Sequence, residues 1–238
     1  MRDINRNEHS VPEYRPIDKS VYSVLEENCT GLGDRPALSY FGKEYSFSEL
    51  MCNIDRVASA LLGMGITKGD KVIVSLPSVP EAVELFYAIN KIGAVFCGMD
   101  CRSKHDEIEE ILVQIKPKAC FVSDFHLKEF TNVDSVPVIC ISFMKTISVI
   151  ASFASVFVGI FTGRTFLIAR RKNFMSYQQF IRNAKDTPVE KTDLGGDEIC
   201  AYFYTSGTTY GRKCVMITNE NMNSSVLQYA YSQPGIDD

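Results

Sequence analysis

The hydrophobic positions of this chain change period repeatedly, and each change marks a short element. Ala37-Leu38-Ser39-Tyr40-Phe41, a turn at Gly42-Lys43 and a return beginning at Tyr45 predict a small hairpin. Ser46 and Glu49 have the spacing of a capping box. Behind them Leu50, Ile54, Val57, Ala58, Leu61 and Leu62 fall on one helical face, which Gly63 and Gly65 end. Lys71 to Leu76 is rich in Val and Ile between Gly69-Asp70 and Pro77, as a buried strand is. Pro80 opens a second helix with Val83, Phe86, Tyr87 and Asn90 on one face up to Gly93, and Ala94-Val95-Phe96 is strand-like. Ser103 and Asp106 repeat the capping spacing before a stripe of Ile108, Ile111, Leu112 and Ile115 that stops at Pro117. Ala119 to Val122 and Val136 to Ile141 are further strands. This alternation predicts an α/β protein with a mainly parallel sheet and flanking helices, joined by right-handed crossovers.

Beyond Ile141 the pattern breaks. Thr146 to Gly163 carries no charge, and as a helix these roughly 18 residues would span about 27 Å, near the roughly 30 Å hydrocarbon core of a bilayer. The basic Arg170, Arg171, Lys172 cluster behind it would then lie on the cytoplasmic side. A crossing here would, however, split the core that Val74, Ile108 and Ile111 are patterned to fill. The expected organisation is therefore residues 1–142, an apolar helical insert at 143–172, and a continuation at 173–238. In that continuation Phe174, Tyr177, Phe180 and Ile181 have helical spacing and Asp186 to Asp197 reads as a loop. Ile199 to Tyr204 and Cys214 to Ile217 read as strands, and Thr218 or Asn219 is placed to cap a closing helix.

Composition narrows the function classes. At 238 residues the chain is long enough for a sizeable core, and 45% hydrophobic with 23% charged residues is ordinary for a globular domain. A net charge of -4 gives no electrostatic case for nucleic acid as a partner. The eight cysteines follow no secretory leader, since Met1 to Ser20 contains no apolar stretch, so free thiols in a reducing cytoplasm are expected. Cys97, Cys101 and His105 recur every four residues and could share a helix face. Zinc sites favour tighter cysteine pairs, though, and Gly98 interrupts the helix, so semi-buried cysteines are the better reading. His9 and His126 read as surface or loop histidines.

The chemistry concentrates in Tyr204-Thr205-Ser206-Gly207-Thr208-Thr209-Tyr210-Gly211-Arg212-Lys213, between two strands. Four hydroxyl residues and two glycines supply donors and let the backbone approach polyphosphate oxygens, while Arg212 and Lys213 add positive charge. This is not a Walker loop: three residues, not four, precede Gly-Arg-Lys, and a strand follows.

The segment resembles the signature of the adenylate-forming enzymes, which include acyl-CoA synthetases, luciferases and peptide-synthetase adenylation domains. That signature runs Tyr-Thr-Ser-Gly-Thr-Thr-Gly-x-Pro-Lys-Gly-Val, then Thr-His-x-Asn. Tyr204 to Thr209, Lys213, Val215, Thr218 and Asn221 match it, with Gly211 at the variable position. Tyr210, Arg212, Cys214 and Asn219 depart from it. Tyr45 to Leu50, Gly65 to Val72 and Lys91 to Val95 resemble the family's earlier segments.

The resemblance implies the N-terminal part of an acid-CoA ligase. ATP with Mg2+ would convert a small-molecule carboxylic acid to an acyl-adenylate, and CoA would be the co-substrate that accepts the acyl group. By the same resemblance Thr205, Ser206, Thr208 and Thr209 would bind the β- and γ-phosphates, and Gly207 and Gly211 would give the loop freedom. Lys213 would be the catalytic charge neutralising the departing pyrophosphate. No protein metal ligand is assigned. The family's adenine, ribose and acyl motifs are absent from these residues, so the chain by itself is expected to be inactive. The alternatives are a degenerate, non-catalytic nucleotide-binding or interaction module and a membrane-anchored variant.

Overall fold

The computed structural model describes residues 16–142, 171–185, 187–204 and 213–232. Helix α1 (Val21–Asn28) is capped by Ser20, whose side chain accepts from the Ser23 N–H. Strands β1 (Pro36–Tyr40) and β2 (Lys43–Ser46) form an antiparallel hairpin. Its turn lies at Phe41 and Gly42, both with positive φ, one position earlier than the spacing predicts. Helix α2 (Phe47–Gly63) starts with the predicted capping box of Ser46 and Glu49.

The remaining strands form one seven-stranded sheet. They are β3 (Lys71–Ser75), β4 (Val95–Gly98), β5 (Ala119–Ser123), β6 (Val138–Ile141), β7 (Phe174–Ser176), β8 (Ile199–Tyr204) and β9 (Cys214–Thr218). Their order is β7-β6-β5-β3-β4-β8-β9. Five of the six pairings are parallel, and only β8 with β9 is antiparallel. The parallel α/β reading thus holds. The central strands are apolar on both faces, as a sheet covered on both sides requires. One face packs Val72, Val74, Phe121 and Ile139 against α2 and α3 (Pro80–Lys91), the other Ile73, Cys120, Val122 and Val138 against α4 (His105–Ile115).

Several expectations change. Helix α4 begins one residue late, with Lys104 at its N-cap; Glu107 accepts from the Lys104 N–H, and the Ser103 carbonyl instead accepts from the ring of His126. Phe174 is in β7 rather than a helix; it registers against Val138, and only Tyr177–Ile181 forms α5. His126 is buried, not superficial. Its Nε2–H donates to the Ser103 carbonyl at 2.7 Å, which leaves Nδ1 to accept from the Ser75 hydroxyl at 2.8 Å. Cys97, Cys101 and His105 share no helix face: Cys97 is buried in β4, Cys101 lies in a turn, and His105 opens α4 with its ring held by Glu129 O, Glu109 and Asn132. The proposed insert falls almost entirely on residues 143–170, outside the described residues. Among the described residues no helix is long and apolar enough to cross a membrane.

Candidate functional site

The β8–β9 hairpin is held from three directions. Along its ladder Tyr204 faces Cys214 and Phe203 faces Val215. On one side of the sheet the Tyr204 hydroxyl donates to Gln114 Oε1 of α4 at 3.1 Å, and burial followed by the nearby Cys214 pushes this phenol well above its usual range. On the other side the Phe203 ring lies across β4. A Cβ at Gly98 would sit 2.6 Å from Phe203 Cε1, so only glycine lets the ring rest there.

The third hold is the start of helix α6 (Asn219–Ser232). Thr218 Oγ1 accepts from the Asn221 N–H at 3.2 Å, and Asn221 Oδ1 accepts from the Thr218 N–H at 3.2 Å. This reciprocal cap is the local meaning of the Thr-x-x-Asn spacing. Between them Asn219 is fully buried, and its Nδ2 donates to the carbonyls of Gly195 and Glu198 at 3.0 and 3.2 Å. The carboxamide oxygen of Asn219 accepts from Val21 N and Asn90 Nδ2. Its four bonds fasten α6 to α1, to α3 and to the turn before β8. A departure from the sequence signature is here a satisfied structural asparagine.

Of the predicted site residues, Lys213 is exposed immediately before β9. Thr205, Ser206, Gly207, Thr208, Thr209 and Gly211 lie outside the described residues, with Tyr210 and Arg212. What surrounds that segment is described: it leaves the sheet at Tyr204, at the carboxyl ends of the parallel strands β3, β4 and β8, where open α/β sheets bind ligands. No group of His, Cys, Asp and Glu that could hold a metal ion occurs among the described residues.

Sequence reasoning missed a cleft of about 560 Å³ beside Phe203, lined by parts of β1, α3, β4 and the turn after β3. The signal was in α3. Leu85, Ala88 and Ile89 are buried in the core, while Val83, Phe86 and Tyr87 are half-buried, packing against that core and also lining this cleft.

Comparison with known proteins agrees with this geometry. A long-chain-fatty-acid–CoA ligase of Bacillus subtilis (strain 168) is 21% identical over 220 residues, 90% of this chain and 39% of that protein. Acetyl-coenzyme A synthetase 2 of Zygosaccharomyces bailii is 36% identical over 99 residues, 37% of this chain and 15% of that protein. Among solved structures, ATP-bound MatB from Rhodopseudomonas palustris superposes with a TM-score of 0.70 at 19% identity, over 90% of this chain and 38% of that one. The anthranilate CoA ligase AuaEII in complex with anthranoyl-AMP gives 0.67 at 22%, over 87% and 36%. These structural likenesses establish the fold, and the chain spans less than two fifths of each of the four proteins. Residues 25–238 match the family model described as AMP-binding enzyme, and the chain therefore belongs to the AMP-binding enzyme family.

Proposed function

We propose that this chain is the phosphate-binding portion of an enzyme that activates a carboxylic acid as its acyl-adenylate, with CoA as the acyl acceptor. The observation that carries the reading is the hairpin. Tyr204 and Cys214 pin the two ends of the hydroxyl-rich segment side by side at the carboxyl edge of a parallel sheet, with Lys213 exposed at one end. Thr205, Ser206, Thr208 and Thr209 would hold the β- and γ-phosphates of ATP, and Lys213 would offset the charge of departing pyrophosphate. Mg2+ bound with the nucleotide would supply further charge neutralisation. The acid, the acceptor thiol and a cytoplasmic location belong to the proposal.

Two measurements test it. ATP or tripolyphosphate titrated into the purified chain should bind weakly, at about millimolar Kd, because phosphate contacts without an adenine pocket forgo most apolar burial. Lys213→Ala should weaken that binding about tenfold. Acid-dependent exchange of pyrophosphate into ATP should be absent from the 238 residues by themselves. Binding indifferent to Lys213 would overturn the phosphate role, and turnover abolished by Lys213→Ala would overturn the expectation of inactivity. A second reading, a nucleotide-binding module without catalysis, is favoured by Cys214, where the family signature has glycine. It would retain the titration and show no exchange in any longer form of the protein.

A further inference from the structure

The two edges of the sheet are built differently. At one edge β7 is three residues long, with Lys172 and Asn173 leading into it. At the other, β9 runs for five residues, Cys-Val-Met-Ile-Thr, without charge or proline, and no strand lies beyond it among the described residues. The irregularity of the β8–β9 ladder falls between Ile199 and Ala201, so β9 itself is unbroken. Edge strands are ordinarily blunted by charge, proline, a bulge or shortness, because their open N–H and C=O groups template pairing with another chain. β9 has none of these devices. Its neighbouring residues Val215 and Met216 point to opposite faces and are 40% and 62% exposed, so the strand is apolar and open on both. Helix α6 extends that surface: Met222 packs on the same core as Ile217, and Val226 and Tyr229, four and seven residues further on, are exposed along one stripe.

We propose that β9 is a docking edge for a second copy of this chain, the two strands pairing antiparallel across a two-fold axis at Met216. In that register the strand is complementary to itself. Met216 faces Met216, Val215 faces Ile217 and Cys214 faces Thr218, so apolar side chains meet on both faces and no charge is buried. Moving the axis to Val215 sets Lys213 opposite Ile217, and moving it to Ile217 draws in Asn219, whose side-chain bonds hold α6 in its own copy. Charge favours the antiparallel sense. Lys213 precedes the strand and Glu220 follows it, so each lysine stands near the other copy's glutamate, whereas parallel pairing sets like beside like. The axis puts both α6 helices on one side of the joined sheet, where Val226 and Tyr229 are available to widen the contact. An isologous contact of this kind closes at two copies. The pairing uses only β9 and α6 and is independent of the acid-activating reading.

Sedimentation equilibrium of the intact 238-residue chain should show monomers and dimers with a Kd of about 10 μM, modest because one strand pair with two helix faces is a small interface. Met216 is exposed in the single copy, so Met216→Lys and Met216→Glu should each leave the thermal melt of the monomer unchanged. Each should weaken dimerisation by about tenfold or more, by setting like charges opposite one another at the axis. Mixed in equal amounts, the two variants should dimerise again with opposite charges at the axis. That recovery is specific to self-pairing at this position. Val113→Lys, at an exposed position on α4, should change nothing. A chain that stays monomeric at about 200 μM, where a dimer of about 10 μM Kd is mostly formed, would overturn the proposal. So would association indifferent to both Met216 variants, no recovery in the mixture, or growth beyond the dimer. An edge that pairs only with a strand of a different polypeptide gives the first of these results.

Discussion

Asn90 and Asn219, 129 residues apart in the chain, are joined by a buried side-chain hydrogen bond of 2.9 Å, from Asn90 Nδ2 to Asn219 Oδ1. The oxygen of Asn90 accepts in turn from the Tyr22 N–H at 2.8 Å. Next to it Lys91, 5% exposed, donates to the Tyr22 hydroxyl at 2.9 Å and pairs with Asp55. Helices α1 and α3 are thereby tied to the start of α6 by buried groups, and Lys91 adds α2 through the partly exposed Asp55. Asn219→Ala leaves several buried donors and acceptors unsatisfied, and we expect a loss of about 3 kcal/mol, read as a fall of about 6–12 °C in Tm. Asn90→Ala should cost less. The double variant should cost less than the sum of the two, because the shared bond is counted twice.

Glu84 gives a prediction with a sign in pH. Burial first, and repulsion from Glu81 second, push its carboxyl up, against the hydrogen bonds that Asn53 at 2.8 Å and Tyr177 at 3.3 Å donate. An acid whose folded pKa is raised favours folding while protonated. That contribution is complete below its ordinary value of 4.5 and is lost as pH rises through the folded value. Glu84→Gln should therefore raise Tm at neutral pH and flatten the pH dependence of Tm above 4.5. An unchanged profile in thermal melts across that range would remove Glu84 from the account.

Gly93 holds a φ of +75°, and a Cβ there would lie 3.0 Å from Thr192 Cγ2 and 3.1 Å from Lys68 Cγ. Gly65 has nearly the same φ, +77°, with nothing within 4 Å. Each Ala variant incurs about 1–2 kcal/mol of backbone strain. Gly93→Ala should lose more than Gly65→Ala in denaturant titrations, and the difference isolates the contact.

The fourth prediction concerns residues 143–170. Strands β6 and β7, which flank this segment, are hydrogen-bonded neighbours running parallel, with Val138 opposite Phe174 and Cys140 opposite Ser176. A chain leaving the carboxyl end of β6 must rejoin the amino end of β7 within one folded sheet, so both ends of the connection lie on one side of any membrane, which a single crossing does not allow. We infer that the segment is dispensable for the fold and is no transmembrane anchor. Replacing 143–170 by a Gly/Ser linker of about a dozen residues, long enough for a parallel crossover, should keep Tm within a few degrees and raise soluble yield. Loss of folding, together with carbonate-resistant membrane association of the intact chain, would refute this.

The sequence made some of this legible for identifiable reasons. Ser46 with Glu49 and the Leu50–Leu61 stripe marked α2 because local capping and a single buried face agree. The run from Ile199 to Tyr204 is β8 to the residue. Helix α1 went unseen, since its eight residues bury only Val21 and Tyr22 and owe their place to Asn219 and Asn90. Strand β7 is three residues long, and its identity comes from pairing with β6, which no local pattern encodes. His126 looked superficial because its partners, Ser75 and Ser103, are remote in sequence. The hydroxyl-rich run from Thr205 to Lys213 stood out as a motif, and of it only Lys213 lies among the described residues. The cleft was not legible, because the half-buried Val83, Phe86 and Tyr87 of α3 read as core until the packing is known.

The single antiparallel pairing in the sheet separates two kinds of change. Tyr204 and Cys214 are ladder partners, so their Cα atoms stand about 5 Å apart, and β-pairing offsets the entropy of closing the residues between them. Substitutions between these two positions leave the ladder pairs of β8 and β9 unchanged. Tyr210 and Arg212, both departures from the family signature, sit in that segment. A hairpin so arranged tolerates sequence change between its strands while the ladder that Tyr204 and Cys214 close is kept.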